Sequence, residues 1–271
     1  MATQVYLAAI AVVMTMALTL ALPTSAKAQA DSTAELAKKL QNPIANLISV
    51  PLQNNWDFGI GRADAMRYTL KVQPVIPISL GKDWNLVTRT IVPFIHAESP
   101  IPAGDGAGGI GDIEQSFFLS PKEPLDGWII GGGPVFLYPT ASDDALGSGK
   151  WGAGPTAVVL RQDHGWTYGL LANHVWSFAG DADRPDISNT FLQPFVSYTT
   201  TTHTTFGLNT ESTCDWKASE WTVPINLTVS QLVRIGGQPV QFQLGGRYYA
   251  ERPQGGPDWG LRFTITFLFP K

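Results

Sequence analysis

The sequence predicts an all-β chain closed into a transmembrane antiparallel β-barrel of about twelve strands. Three observations predict it: period-two alternation with a lipid-like face, connections that alternate short and long, and two belts of aromatic residues. The alternation is clearest in the last stretch, where Trp259, Leu261, Phe263, Ile265, Phe267 and Phe269 share one strand face. Gly260, Arg262, Thr264 and Thr266 share the other, with Leu268 as its apolar exception. Period two marks a strand with different surroundings on its two sides. Ten steps of roughly 3.3 Å, tilted by about 40°, rise about 25 Å, the height of a barrel's lipid-facing band.

Composition agrees. Only 15% of the 271 residues are charged, against about 25% in soluble domains. There are 27 glycines, 20 prolines and 9 tryptophans, and the mean hydropathy is +0.02. Past residue 22 no apolar run is long enough for a membrane helix. The net charge of −4 gives no reason to expect nucleic-acid binding. The single cysteine, Cys214, cannot form an internal disulfide and lies too far from the N-terminus to be acylated there.

In chain order, residues 1–30 read as a secretory signal peptide: an apolar run from Val5 to Leu22, then the small-residue sites Ala26-x-Ala28 and Ala28-x-Ala30. The lack of Lys or Arg in the first ten residues is atypical and leaves an uncleaved membrane helix as the alternative. Residues 31–50 form a separate segment. Ser32-x-x-Glu35 resembles a capping box, and Ala34, Leu36, Ala37 and Leu40 recur at helical spacing until Pro43. A short periplasmic helix, a plug entering the barrel and a flexible leader all fit this segment.

Residues 51–271 read as the barrel. Leu52, Trp56, Phe58 and Ile60 alternate with Gln53, Asn55 and Asp57. Eleven connections follow, at residues 62–65, 81–83, 98–109, 121–127, 140–150, 162–165, 180–188, 199–202, 214–217, 236–239 and 251–257. The even-numbered connections are shorter and turn-like, whereas the odd ones, except the first, are longer and more polar. Twelve strands with this sorting put both termini on the periplasmic side. Trp84, Trp128, Trp166 and Tyr198 fall at one set of strand ends. Tyr68, Tyr138, Trp151, Trp176, Trp221, Tyr248 and Trp259 fall at the other. Two such belts suit a bilayer with two interfaces. Against the barrel stand Pro74, Pro77, Pro93, Pro134, Pro155, Pro194 and Pro224, all inside expected strands, where proline removes a ladder donor.

Four segments carry a family resemblance: Asn46-Leu47-Ile48-Ser49-Val50-Pro51-Leu52-Gln53-Asn54-Asn55-Trp56-Asp57-Phe58-Gly59-Ile60-Gly61, Gly109-Ile110-Gly111-Asp112-Ile113-Glu114-Gln115-Ser116-Phe117-Phe118-Leu119-Ser120-Pro121, Tyr138-Pro139-Thr140-Ala141, and Leu146-Gly147-Ser148-Gly149-Lys150-Trp151-Gly152-Ala153-Gly154-Pro155. They resemble a Gram-negative outer-membrane family usually labelled as transporters of the phenol-degradation MetA pathway, and often misnamed neuromedin U. The resemblance runs from about residue 35 to the end. It implies a cell-outer-membrane barrel passing small solutes, aromatic or hydrophobic ones among them, and it brings no catalytic residues. The ending departs from the usual barrel terminus, since Phe269 is followed by Pro270-Lys271, which bears on recognition by the barrel assembly machinery.

Other chemistry is thin. Asp112 and Glu114, two apart, could act as an acid/base pair or as lumen charges balanced by Lys71, Arg89, Arg247 or Arg262. His174 with Ser177 and Asn173 is the only lipase-like grouping, although Asn173 opposes His174 along a strand. The glycines from Gly104 to Gly109 enter a strand, so a dinucleotide loop fails on context. Asp143, Asp144, Asp181, Asp183 and Asp186, in outer loops, are solvated charge or sites for Ca²⁺ and cation-bridged lipopolysaccharide. The reading is a channel or passive transporter without cofactor, metal or covalent chemistry. A closed structural or adhesion barrel is the alternative, and a barrel lipase comes after it. The expected partners are outer-membrane lipid and lipopolysaccharide, and a small-molecule solute. The side chains expected to line the lumen are Lys71, Gln73, Arg89, Asp112, Glu114, Asn226, Thr228, Gln241, Gln243, Arg247, Arg262 and Thr264.

Overall fold

A computed structural model describes residues 33–270, so the expected signal segment lies outside the described residues. Helix α1 (Thr33–Leu40) comes first, with Glu35 in its first turn and Lys38 and Lys39 in its last. The rest is strand: β1 (Ile48–Ile60), β2 (Ala65–Val72), β3 (Val75–Leu80), β4 (Trp84–Ala97), β5 (Ala107–Ile110), β6 (Ile113–Pro121), β7 (Trp128–Tyr138), β8 (Lys150–Asp163), β9 (Trp166–Gly180), β10 (Ser188–Thr199), β11 (Thr204–Thr210), β12 (Ser212–Asp215), β13 (Glu220–Ile235), β14 (Gln238–Glu251) and β15 (Trp259–Phe269). β2 runs on into β3, β5 into β6 and β11 into β12, so the fifteen described segments make twelve staves.

Every pairing is antiparallel between chain neighbours, and β1 on β15 closes the ring in unbroken register from Ile48↔Phe269 to Phe58↔Trp259. Closure leaves no strand edge in the bilayer, where an unpaired peptide group is expensive. The first strand starts at Ile48, earlier than the sequence suggested, because Ser49 to Leu52 continue the pairing with β15.

The outer surface carries the aromatic belts. Trp84, Trp128, Trp166 and Tyr198 are exposed at the end where β1 begins and β15 finishes, and Trp151, Trp176, Trp221, Tyr248 and Trp259 at the opposite end. Leucines such as Leu227 and Leu244 lie exposed between them. Two outward polar side chains in this band are satisfied by belt tyrosines: the Tyr68 hydroxyl donates to Asn54 Oδ1 at 2.7 Å and that of Tyr138 to Gln115 Oε1 at 3.1 Å. At the upper end the short first turn is knitted to longer loops, Gly61 N donating to Gly255 O and Arg62 N to Pro100 O.

The prolines that argued against a barrel fall where the ladders already give way. Pro74 occupies the gap between β2 and β3, and Pro93 faces the irregularity between β5 and β6. Pro134 and Pro155 oppose each other, and each coincides with a gap in the ladder on its far side, β6–β7 and β8–β9. In those gaps the strands run close: a Cβ on Gly154 would strike the His174 carbonyl oxygen. Pro194 and Pro224 flank the gap between β11 and β12, and Pro224 also marks a register shift against β14. Pro77 lies beyond Val75, the point at which β1 stops pairing with β3.

The N-terminal segment packs on the inside of the lower barrel. Leu36, Ala37, Ala45 and Leu47 bury against Leu232 and Leu268, which accounts for Leu268 as the apolar inward exception. Ile44 joins Val87, Phe118, Val158, Leu160 and Leu171, with Phe191 and Phe195 packed alongside. The Gln162 amide donates to the Lys38 carbonyl at 2.8 Å.

A lipid-facing band makes a quantitative expectation. Leu244→Arg places a cation on the mid-strand outer face and should cost ~2–4 kcal/mol of stability. Reversible urea unfolding in phospholipid vesicles measures it, and a near-zero change would mean that Leu244 does not face hydrocarbon.

Candidate functional site

The upper half of the lumen is organised around Glu211, the residue between β11 and β12. Phe206 and Leu208 are exposed outward, so strand parity turns Gly207, Asn209 and Glu211 inward. Arg262 grips the Glu211 carboxylate with both Nη atoms, at 2.7 and 2.9 Å. Arg247 Nη2 adds a third bond at 2.8 Å. Arg247 Nη1 also reaches Asp57 Oδ1 at 3.3 Å, and the Tyr249 hydroxyl donates to the same oxygen at 2.8 Å. The stave between Arg247 and Asp57 presents Gly260 at that level, and a Cβ there would meet the Asp57 carboxylate. Glycine therefore opens the line between the two charges.

Amides extend the network downward. Arg262 Nε donates to Asn55 Oδ1 at 2.8 Å, and Gln53 Nε2 reaches the same oxygen at 3.3 Å. Gln73 Nε2 donates to Gln53 Oε1 at 3.2 Å, and Arg89 Nη2 to Gln73 Oε1 at 2.8 Å. On the other flank Arg247 Nε donates to Asn226 Oδ1 at 2.8 Å, and Asn226 Nδ2 to Asn209 Oδ1 at 2.9 Å. Glu114 lies in the electrostatic field of Arg89 and Lys71, and Lys71 in that of Glu211, Arg247, Arg262 and Arg89. Among the described residues the Lys71 ammonium has no hydrogen-bond or ion-pair partner. The group thus holds four cations, Lys71, Arg89, Arg247 and Arg262, against three carboxylates, Asp57, Glu114 and Glu211, a surplus of one positive charge.

The other side chains expected from the sequence fall as follows. Gln241, Gln243 and Thr264 lie below the charged group with Gln73, and Thr264 Oγ1 donates to Gln243 Oε1 at 3.3 Å. Thr228 donates to the Gly207 carbonyl at 3.3 Å. Asp112 departs from the expected pairing with Glu114. It lies in the irregularity between β5 and β6, outside regular strand, and its carboxylate accepts from Ala141 N at 3.2 Å and from Ser148 N and Oγ at 2.6 Å each. It pins an upper loop, so no lumen base is left to balance it. Glu211, Asp57 and Tyr249 were not singled out from the sequence. The alternation in β1 does set Asp57 inward, and parity counted from Phe206 and Leu208 reaches Glu211.

The lipase-like grouping is not assembled. Asn173 is buried on the inward side of β9, and Ser177 Oγ bonds Asp186 and the Ile187 amide. His174 Nδ1 meets Thr190 Oγ1 at 2.7 Å, and Trp216 Nε1 donates to that oxygen at 2.8 Å. Nor do the loop acids converge: Asp143 caps a short 3₁₀ turn, Asp181 accepts from Asp183 N, and Asp186 pairs with Lys150 at 3.2 Å. Among the described residues no cluster of three or more ligating side chains could hold a metal ion.

No family model matches the sequence, and no curated protein matches it either. Solved structures do. The outer membrane channel from Pseudomonas putida F1 is 16% identical, with a TM-score of 0.64, over 83% of this chain and 96% of that one. The NanC porin is 10% identical, with a TM-score of 0.51, over 81% of this chain and 98% of that one. Both are outer-membrane barrels, and this chain shares that fold.

Two outcomes follow from the site. Glu211→Gln removes the shared carboxylate of two buried arginines and should destabilise the barrel by ~3–5 kcal/mol, measured by urea unfolding in vesicles. At the loop, hydrogen bonds from Lys150 and then Ser177 hold the Asp186 carboxyl below its ordinary value. A depressed carboxylate favours the pinned loop at neutral pH, and the pin is lost as pH falls through the lowered value. Exchange of the Ile187 amide, corrected for its intrinsic rate, should rise on acidification. In Asp186→Asn it should be raised already at neutral pH.

Proposed function

We propose that this chain is an outer-membrane channel, or passive transporter, for small solutes, and that it favours anions. The surplus cation in the Glu211-centred group carries the reading, because Lys71 stands in the bore without a partner. A charged ring in a narrow pore selects by sign, and interleaved pairs keep the remaining charges compensated. On this reading the expected lumen residues, Asp112 excepted, form the solute-facing wall. Residues 33–47, packed inside the periplasmic mouth, limit the bore from below. Phe191 and Phe195, only partly buried beside the cluster that Ile44 covers, offer a surface for aromatic or hydrophobic bodies, in keeping with the transporter-labelled family that the sequence resembles. The description of the P. putida neighbour as a channel agrees with this reading.

The competing reading, a closed barrel that meets a partner through its upper loops, draws on the same Ile44 packing, which fills part of the lower lumen. Planar-bilayer recording separates the two. A channel gives unitary currents whose reversal potential in a KCl gradient reports anion preference. Lys71→Glu converts the surplus of one positive charge into a deficit of one and should shift the preference toward cations. Absence of any current from folded protein would favour the closed barrel.

A further inference from the structure

Below the charged group, between the N-terminal segment and the barrel wall, lies a cavity of about 230 Å³. Its floor is mostly apolar, built from Leu40, Pro43, Ala45 and Leu47 of the N-terminal segment with Val75 beside them, and Asn42 is its polar member. Its roof is amide-rich: Gln53, Gln73, Gln241 and Gln243. The two ionisable side chains that line it, Lys39 and Arg89, are both cations, and no described carboxylate reaches it.

The roof holds unused donors. Gln241 lines the cavity yet is only 7% exposed, and its Nε2, itself sealed from the cavity, has no hydrogen-bond partner, so a turn of the amide would present that donor to a ligand. A buried polar group in that condition calls for an explanation, since such groups are nearly always paired. Gln243 uses its carbonyl on Thr264, while its amino group makes no bond among the described residues. Arg89 uses one Nη on Gln73, which leaves further N–H groups for a second acceptor.

We infer that this cavity is a binding site for a small carboxylate with a compact apolar body, held on its way through the lumen. The inference rests on the reading of the lumen as a solute path. A carboxylate is acceptor-only when ionised, which complements a roof of free donors beside a guanidinium. The apolar body lies on the Leu40–Leu47 side, where it covers surface that would otherwise face trapped water. The cavity has room for a body of roughly ten non-hydrogen atoms. Benzoate has that size and character.

The test is equilibrium binding of benzoate to full-length protein purified in detergent, by calorimetry at low salt, with benzyl alcohol and gluconate as comparators. Benzoate should bind, and each comparator should bind about tenfold more weakly, because one lacks the charge and the other the apolar body. Arg89→Gln should weaken benzoate by about tenfold, and Gln241→Leu, close to it in volume, by several-fold, provided each variant resists SDS before boiling as a folded barrel does. The site is overturned if benzoate does not bind, if either comparator matches it, or if affinity is unchanged in a folded variant. Should Arg89→Gln fail to fold, Gln241→Leu still decides. No current is measured, so a barrel that conducts without binding benzoate sinks only this site, and one that binds without conducting sinks only the channel.

Discussion

In hydrocarbon every lipid-facing backbone donor and acceptor must find its partner within the chain, and the rest of this structure depends on how that is met. Closure of β1 on β15 meets it globally, with eleven residue pairs in one register. Locally, prolines within and between the strands withdraw donors from the ladders, and a ring without edges has no obvious place for them. The solution is to gather the losses. Pro134 faces Pro155, each beside a gap on its own far side, and Pro194 and Pro224 flank a single gap, so the missing bonds cluster instead of spreading around the ring. Where two prolines share a gap, one irregularity absorbs both.

Those gaps place chemistry. The three interrupted staves break at Gln73–Pro74, at Gly111–Asp112 and at Glu211, and each break carries a polar side chain with partners of its own. Gln73 links Arg89 to Gln53, Asp112 holds an upper loop, and Glu211 joins Arg247 to Arg262. Burying a lone carboxylate or guanidinium is costly, whereas one carboxylate shared by two guanidiniums satisfies most of its lone pairs. Tyr249 on the same stave and Asp57 two staves away complete Arg247. The pairing leaves Lys71 over, and in the proposed channel that surplus sets the sign of the field in the bore.

Much of this was legible in the sequence because period-two alternation and turn chemistry are local. The twelve staves, their connections and both aromatic belts follow from residues a few positions apart. The inward placement of Arg247 and Arg262 follows in the same way from their neighbours Tyr248 and Leu261, which are exposed on the outer face. What was not legible depends on contacts between distant segments. Asp112 and Glu114 look like a pair at a spacing of two, but a shift in the β4 pairing separates them, from Phe94↔Ile110 to Ile91↔Glu114, and the loop at Ser148 captures the first. Glu211 carries no local mark of being a hub, since its partners lie 36 and 51 residues away. Leu268 reads as an exception to the alternation until the helix that covers it is seen.

The lower lumen follows a different logic from the upper. On one side Val87, Phe118, Val158, Leu160 and Leu171 make an apolar wall, and on the other glutamines and threonines make a polar one. An apolar wall facing only water would weaken the barrel, and Ile44 removes that penalty by packing onto it. Gly131 makes room, since a Cβ there would press on the Ile44 side chain at 2.8 Å. The polar wall receives no such cover, and the space left against it is the cavity beneath Gln241. The N-terminal segment therefore does two things with one short run of residues: it satisfies the apolar half of the lumen and leaves a cavity against the amide half.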